Sequence, residues 1–324
     1  MPRRGGVGAP GGPVGARRRE EGSEMSEFYD EAFRRNLGLV TEAEQRRLST
    51  ARVAIAGAGG MGSIDAVALA RLGVGGFTIA DGDVYEPVNM NRQAAATVHT
   101  IGRNKAEATA ELVRSINPDA EVTVIPEAID AGNLDRFLDG ADVVLDGLDI
   151  FAMPVRRAIF RAARDRDIPV VSAGPIGYGT AWFVQTPTGM DLDAFAALSD
   201  DLPPEEQTVR FLCALAGRGP HLRYLQATRV DSATGAAPSV GLATHTGSGV
   251  AACEALKLLL GRGRVRPLPW LLHFDPYTHY FRRYRRPLGG RSPLFRLRLA
   301  VLRRLVPNVR PRDPAVDGGV EPLG

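Results

Sequence analysis

A glycine-rich turn followed by a spaced set of polar side chains is the part of this 324-residue chain able to do chemistry. The turn is Gly57-Ala58-Gly59-Gly60-Met61-Gly62, and Asp81, Asn89, Arg92, Gln93 and Lys105 lie downstream. Glycines at Gly57, Gly59 and Gly62 permit a tight turn and let backbone approach a phosphate, at a helix N-terminus whose free N–H groups face an anion. Asp81 can accept hydrogen bonds from ribose hydroxyls. A G-x-G-x-x-G turn alone is weak, because NAD enzymes, flavin enzymes and purely structural turns all contain it. A dinucleotide needs little beyond that turn to hold its pyrophosphate. A triphosphate carries more charge and leaves as pyrophosphate, so the added cations Arg92 and Lys105 suit ATP better.

These residues need a strand, a turn and a helix to position them. Arg52 to Ala56 is a short apolar run that reads as a buried strand, and Ile64 to Leu72 follows the turn at helical spacing. A second strand, Gly76 to Ala80, delivers Asp81. A helix from Lys105 to Ile116 stops at Asn117-Pro118, and strands at Glu121–Ile125 and Asp142–Leu145 flank a short helix at Leu134–Leu138. Pro154 to Arg166 reads as a helix, and Pro169–Ala173 and Thr180–Gln185 as strands, the sheet turning antiparallel at the second. A polar loop from Gly189 to Gly219 leads into a helix carrying Phe211 and Leu215. Gly241–Leu260 reads as a long helix, with a closing strand pair around Pro276. The expected fold is α/β and Rossmann-like: a mainly parallel sheet flanked by helices, with antiparallel C-terminal strands.

Asp146 and Asp149 stand at and beyond the carboxyl end of the fourth strand, where open α/β sheets place ligands. Either aspartate could equally be a helix cap or turn residue.

Several of these motifs occur in one order: GAGGMG, Asp81, Asn89-Met90-Asn91-Arg92-Gln93, Lys105, and Asp146-Gly147-Leu148-Asp149. Together they resemble the ThiF, MoeB and HesA family of activating enzymes for ubiquitin-like proteins, from about Phe28 to Arg286. The resemblance implies that Mg-ATP adenylates the C-terminal carboxylate of a small ubiquitin-like or sulfur-carrier protein. It further implies that Gly57, Gly59 and Gly62 form the phosphate turn, Asp81 holds the ribose, Arg92 and Lys105 grip the phosphates, Asp149 positions magnesium, and Asn89 and Gln93 complete the polar lining. Arg35 sits where the family has an arginine reaching the partner subunit's nucleotide, which implies a homodimer with composite sites. With the motifs in register, Asp149 is the better candidate for magnesium.

Composition sets bounds. A hydrophobic fraction of 44% and a charged fraction of 24% fit a globular protein, and a net charge of +3 weakly disfavours tRNA. Cys213 and Cys253 cannot form a four-thiolate zinc site or a disulfide framework, so no structural zinc is expected and a reducing, cytoplasmic location is the simplest reading. Cys213 lies where some family members keep a nucleophile, but it has no neighbouring cation and reads as a buried thiol; Cys253 reads as core. No transmembrane segment is expected. Three stretches are anticipated: a disordered tail over 1–25, the ATP-binding domain over 26–290, and a basic C-terminal tail over 291–324. In that tail Phe295, Leu299 and Leu302 share one face of a possible amphipathic helix. The alternatives are adenylation of a peptide or of a modified tRNA carboxylate, an NAD-dependent oxidoreductase, which leaves Arg92, Lys105 and Asp149 without roles, and a noncatalytic nucleotide-binding scaffold.

Overall fold

A computed structural model describes residues 26–215, 219–225 and 238–305. The expectations for 1–25 and 306–324 fall outside these residues. The strands are β1 (Arg52–Ala56), β2 (Gly76–Ala80), β3 (Glu121–Ile125), β4 (Val143–Asp146), β5 (Val170–Ile176), β6 (Gly179–Gln185), β7 (Trp270–Asp275) and β8 (Tyr280–Arg285). They form one 8-stranded sheet in the order β3-β2-β1-β4-β5-β6-β7-β8. Pairings from β3 to β5 are parallel; those from β5 to β8 are antiparallel. The expected sheet is therefore observed, including its turn to antiparallel pairing at β6.

Helices cover both faces. They are α1 (Glu27–Phe33), α2 (Glu42–Thr50), α3 (Gly62–Arg71), α4 (Lys105–Ile116), α5 (Leu134–Leu138), α6 (Met153–Asp165), α7 (Leu192–Ala196), α8 (Pro204–Leu215), α9 (Gly241–Leu260) and α10 (Pro293–Leu305). The layering follows from side-chain alternation along each strand. Val53 and Ile55 of β1 join Val143 and Leu145 of β4 in a core under α2, α3, α4 and α9. Ala54 and Ala56 join Val144 on the other face, against α5, α6, α7, α8 and α10. Both faces of these strands are buried, which is why they read as continuous apolar runs.

The polar stretch before Phe211 contains a separate helix, α7, capped by Asp191 through a bond to the Ala194 amide at 2.7 Å, so it is more structured than the sequence suggested. Cys213 is buried as expected, and burial raises its thiol pKa. Cys253 is exposed, contrary to expectation. Its neighbours Ala251, Ala252 and Ala255 take the sheet-facing positions of α9 and turn residue 253 outward.

Because β2 and β4 lie on opposite sides of β1, chain order reverses at β1. The carboxyl ends of β1 and β4 therefore open a crevice, the position where doubly wound sheets bind ligands. Ala56 pairs with Asp146 at this point, so the glycine turn and the Asp146–Asp149 loop leave the sheet side by side.

Candidate functional site

Three glycines interlock at the crevice. Gly57 has φ +83°, and a Cβ there would meet the Gly147 carbonyl oxygen at 2.8 Å and the Leu148 nitrogen at 3.2 Å. A Cβ on Gly62 would lie 1.8 Å from the Gly57 carbonyl oxygen, and one on Gly147 would lie 2.8 Å from the Gly62 nitrogen. These positions exclude any side chain. Gly59 differs: the nearest atoms to a Cβ there are those of the Gln93 amide, at 3.8 Å. Packing leaves space above Gly59, at the N-terminus of α3. Among the described residues, the backbone N–H groups of Gly59, Gly60 and Met61 donate to no acceptor. Open amides at a helix start are suited to an anion.

The side chains around this turn are held by specific contacts. Asp81 accepts from the Ala58 amide at 2.7 Å and, through its other oxygen, from the Asp83 amide at 2.9 Å, so it braces the turn it faces. Burial pushes its pKa up, while the Lys105 charge opposes that shift. Lys105 begins α4, is 8% exposed, and donates to Asp83 at 2.8 Å. Asn104 caps the same helix and donates to the Asp81 carbonyl at 3.0 Å, which ties α4 to the β2 end.

The segment 86–93 forms the opposite wall. Asn89 is buried and accepts from the Glu86 amide at 3.0 Å in a reciprocal cap. Arg92 is half-buried, donates to the Val88 carbonyl and to Asn91 at 2.9 Å each, and runs its stem within 3.8 Å of a Cβ on Gly60. Gln93 is 7% exposed, and its Oε1 has no partner among the described residues. The start of α9 holds this wall in place: the Gly241 amide donates to the Asn91 carbonyl at 3.1 Å and the Thr244 hydroxyl to the Arg92 carbonyl at 3.2 Å.

Asp146 and Asp149 have different surroundings. Asp146 is buried and accepts from Arg156 Nε at 2.9 Å and from the Ser172 hydroxyl at 2.7 Å. The same arginine donates to the carbonyls of Leu148 at 2.8 Å and Asp149 at 3.1 Å, and stacks 4.7 Å from the centre of the Phe211 ring. Arg156 thus fixes the whole 146–149 loop, while the Asp149 side chain is exposed and accepts only from the Phe151 amide, at 3.0 Å, among the described residues. Magnesium commonly takes one or two carboxylates and completes its shell with phosphate oxygens and water, so a single exposed aspartate beside a turn with open amides fits it. No cluster of three His, Cys, Asp or Glu suited to a metal exists among the described residues.

The fold thus brings together Gly57, Gly59, Gly62, Asp81, Arg92, Gln93, Lys105 and the loop of Asp149, with Asn89 supporting them. Arg35 is elsewhere in the same chain. It is exposed on a short 3-10 turn behind α1, and that segment docks at the far end of α3: the Tyr29 hydroxyl donates to the Gly73 carbonyl at 2.6 Å and Asn36 to the Leu72 carbonyl at 3.4 Å. A 10-residue helix separates it from the turn, roughly 15 Å. Sequence reasoning missed Arg156, and it quoted Gly147 in the Asp146–Asp149 motif without the packing that requires a glycine there. Arg156 had a signal, because it lies on the apolar stripe with Met153, Phe160 and Ala163, where a charge must find a buried partner.

Known proteins resemble this chain in sequence and in fold. The chain is 38% identical over 127 residues to the SAMP-activating enzyme E1 of Haloferax volcanii, covering 39% of this chain and 46% of that one. It is 33% identical over 143 residues to the sulfur carrier protein ThiS adenylyltransferase of Escherichia coli, covering 44% and 56%. The chain therefore spans about half the length of the curated relatives it matches. Among solved structures, E. coli tRNA N6-threonylcarbamoyladenosine dehydratase superposes with a TM-score of 0.54 at 25% identity, covering 73% of this chain and 97% of that one. The same dehydratase in complex with ATP superposes at 0.53 with 24% identity, over 74% and 98%. The family model described as the ThiF family matches residues 33–290, and the chain belongs to that family.

Proposed function

We propose that this protein is an ATP-dependent adenylyltransferase acting on the C-terminal carboxylate of a ubiquitin-like or sulfur-carrier protein. The observation that carries the reading is the turn with open amides at the start of α3, walled by Arg92 and by Gln93 with its unpartnered Oε1, with Lys105 at the β2 end. Two cations exceed what a dinucleotide pyrophosphate requires. The names of the Haloferax and E. coli relatives support the same class of acyl substrate.

In this reading a carboxylate oxygen attacks the α-phosphorus of ATP, the bond from that phosphorus to the bridging oxygen breaks, and pyrophosphate departs. The chain contributes position and charge. Turn amides and the α3 N-terminus orient the phosphates, Asp81 orients the ribose, and Arg92 and Lys105 meet the negative charge that develops on the leaving group. Magnesium held by Asp149 together with phosphate oxygens would add charge neutralisation there. Arg156 acts through the loop, by keeping Asp149 at the mouth of the crevice. Arg35 serves the site of a second copy, in a homodimer.

ATP–pyrophosphate exchange tests the proposal, with a small ubiquitin-like protein ending in Gly-Gly as probe. Exchange that requires the probe and disappears in Arg92→Ala and Asp149→Ala supports it. A second reading is adenylation of a carboxylate on a modified tRNA base, favoured by the superposition that covers 97% of the dehydratase. Exchange that responds to tRNA and not to the carrier protein would select that reading.

A further inference from the structure

Helix α10 has two apolar faces, and among the described residues only one is packed against the fold. Phe295 and Leu299 are buried and Leu302 is half-buried, packed in the core beside α8. Arg303 pairs with Glu206 of α8, which fixes the helix in orientation. On the outer face Leu294, Leu297 and Val301, at positions i, i+3 and i+7, are 55%, 63% and 50% exposed, and Leu288 just before the helix is also exposed. Three such side chains on one stripe of a docked helix are an unpartnered surface rather than scattered exposure.

Along the sequence, the charge of the segment that carries the stripe is of one sign. From Arg282 to Arg312 the sequence contains eleven arginines and no acidic residue. Arg291 and Arg296 are exposed and Arg298 is half-buried beside the stripe, and none of the three has a carboxylate partner among the described residues. We propose that α10 is a membrane-surface helix, which lays Leu294, Leu297 and Val301 into the interface of an anionic bilayer while Arg291, Arg296 and Arg298 engage lipid phosphates. Arginine stems reach along apolar surface and keep their heads at the headgroup level, which suits this flanking position. The helix lies on the membrane and does not cross it: it has 13 residues, and no helix among the described residues is long and apolar enough to span.

The same features disfavour other occupants. A nucleic acid would take the arginines but leave the leucine stripe in water. A second copy would bring like charges together. Because α10 is anchored to α8, lipid contact would orient the whole domain and not merely tether it.

Sedimentation of the full chain with vesicles tests the proposal. Vesicles of phosphatidylcholine alone are compared with vesicles in which about one-third of the lipid is phosphatidylserine. Binding at least tenfold stronger to the anionic vesicles, lost in Leu297→Glu/Val301→Glu and weakened by added salt, is the expected result. Calorimetric ATP binding by that variant, unchanged from the parent, shows that it folds. Failure of the parent to bind anionic vesicles overturns the proposal, as does binding that survives the double substitution. Capture of RNA, or dimerisation lost on the same substitution without vesicle binding, would assign the stripe to another occupant and overturn it equally.

Discussion

Arg156 Nε donates to Asp146 at 2.9 Å with both side chains buried, and the two Nη groups donate to the carbonyls of Leu148 and Asp149. One buried ion pair therefore supports the loop that carries the exposed Asp149. Arg156→Ala leaves the Asp146 carboxylate buried without its counter-ion, so it should cost about 3–5 kcal/mol in a denaturant titration. Asp149→Ala, by contrast, removes an exposed side chain and should change stability by less than about 0.5 kcal/mol while abolishing magnesium-dependent ATP binding. Equal effects of the two substitutions on stability would show that the loop is not held this way.

The glycines of the turn predict opposite failures. Gly62→Ala forces a methyl within 1.8 Å of the Gly57 carbonyl and should destabilise the fold by about 3 kcal/mol or more. Gly59→Ala meets nothing closer than 3.8 Å, so the protein should fold normally. Its methyl occupies the space expected to take a phosphate, and ATP affinity should drop about tenfold or more, about 1.4 kcal/mol, by calorimetry.

Asp65 gives a pH signature. It is 1% exposed in α3, and burial pushes its pKa up to about 7; the Ser248 hydroxyl across α9 opposes the shift and the Asp146 charge adds to it. A carboxyl whose folded pKa exceeds its unfolded value favours folding fully at low pH and loses that contribution as pH rises through the folded pKa. Stability should therefore fall between about pH 4 and 7 by up to about 4 kcal/mol from this group. Asp65→Asn should remove that slope. Urea midpoints measured across the range decide it: an unchanged slope in the variant would assign the pH dependence elsewhere.

Much of the strand-and-helix order was legible in the sequence, for a physical reason. β1 and β2 are buried on both faces, so their apolar runs and bounding glycines define them without help from tertiary context. Asn117-Pro118 ends α4 where the sequence placed its stop, and a reciprocal cap between Thr41 and Glu44 starts α2. What escaped was set by contacts distant in sequence. α7 is short, and its Asp193 is held by Arg157 at 2.8 Å, 36 residues away. Gly147 is required by the approach of Gly62, which no local pattern announces. Cys253 was misread because the alanines and leucines from Val250 to Leu260 lie on every side of α9 and hide which face meets the sheet. Arg35 was legible as a candidate, yet one chain places it at the far end of α3 from the turn.

That separation leads to a mixing test. If Arg35 serves a partner subunit, Arg35→Ala and Arg92→Ala should each abolish pyrophosphate exchange. After subunit exchange, an equal mixture should regain about a quarter of parent activity, since half the dimers are mixed and each has one intact site. Two inactive variants that stay inactive when mixed would mean Arg35 does not act across an interface.

The most direct test of the central claim is calorimetric titration of the purified protein with Mg-ATP and, separately, with NAD, repeated on Asp149→Ala. The account predicts micromolar ATP binding, little NAD binding, and loss of the ATP affinity in the variant when magnesium is present. Tight NAD binding indifferent to Asp149 would contradict it and return the glycine turn to a dinucleotide.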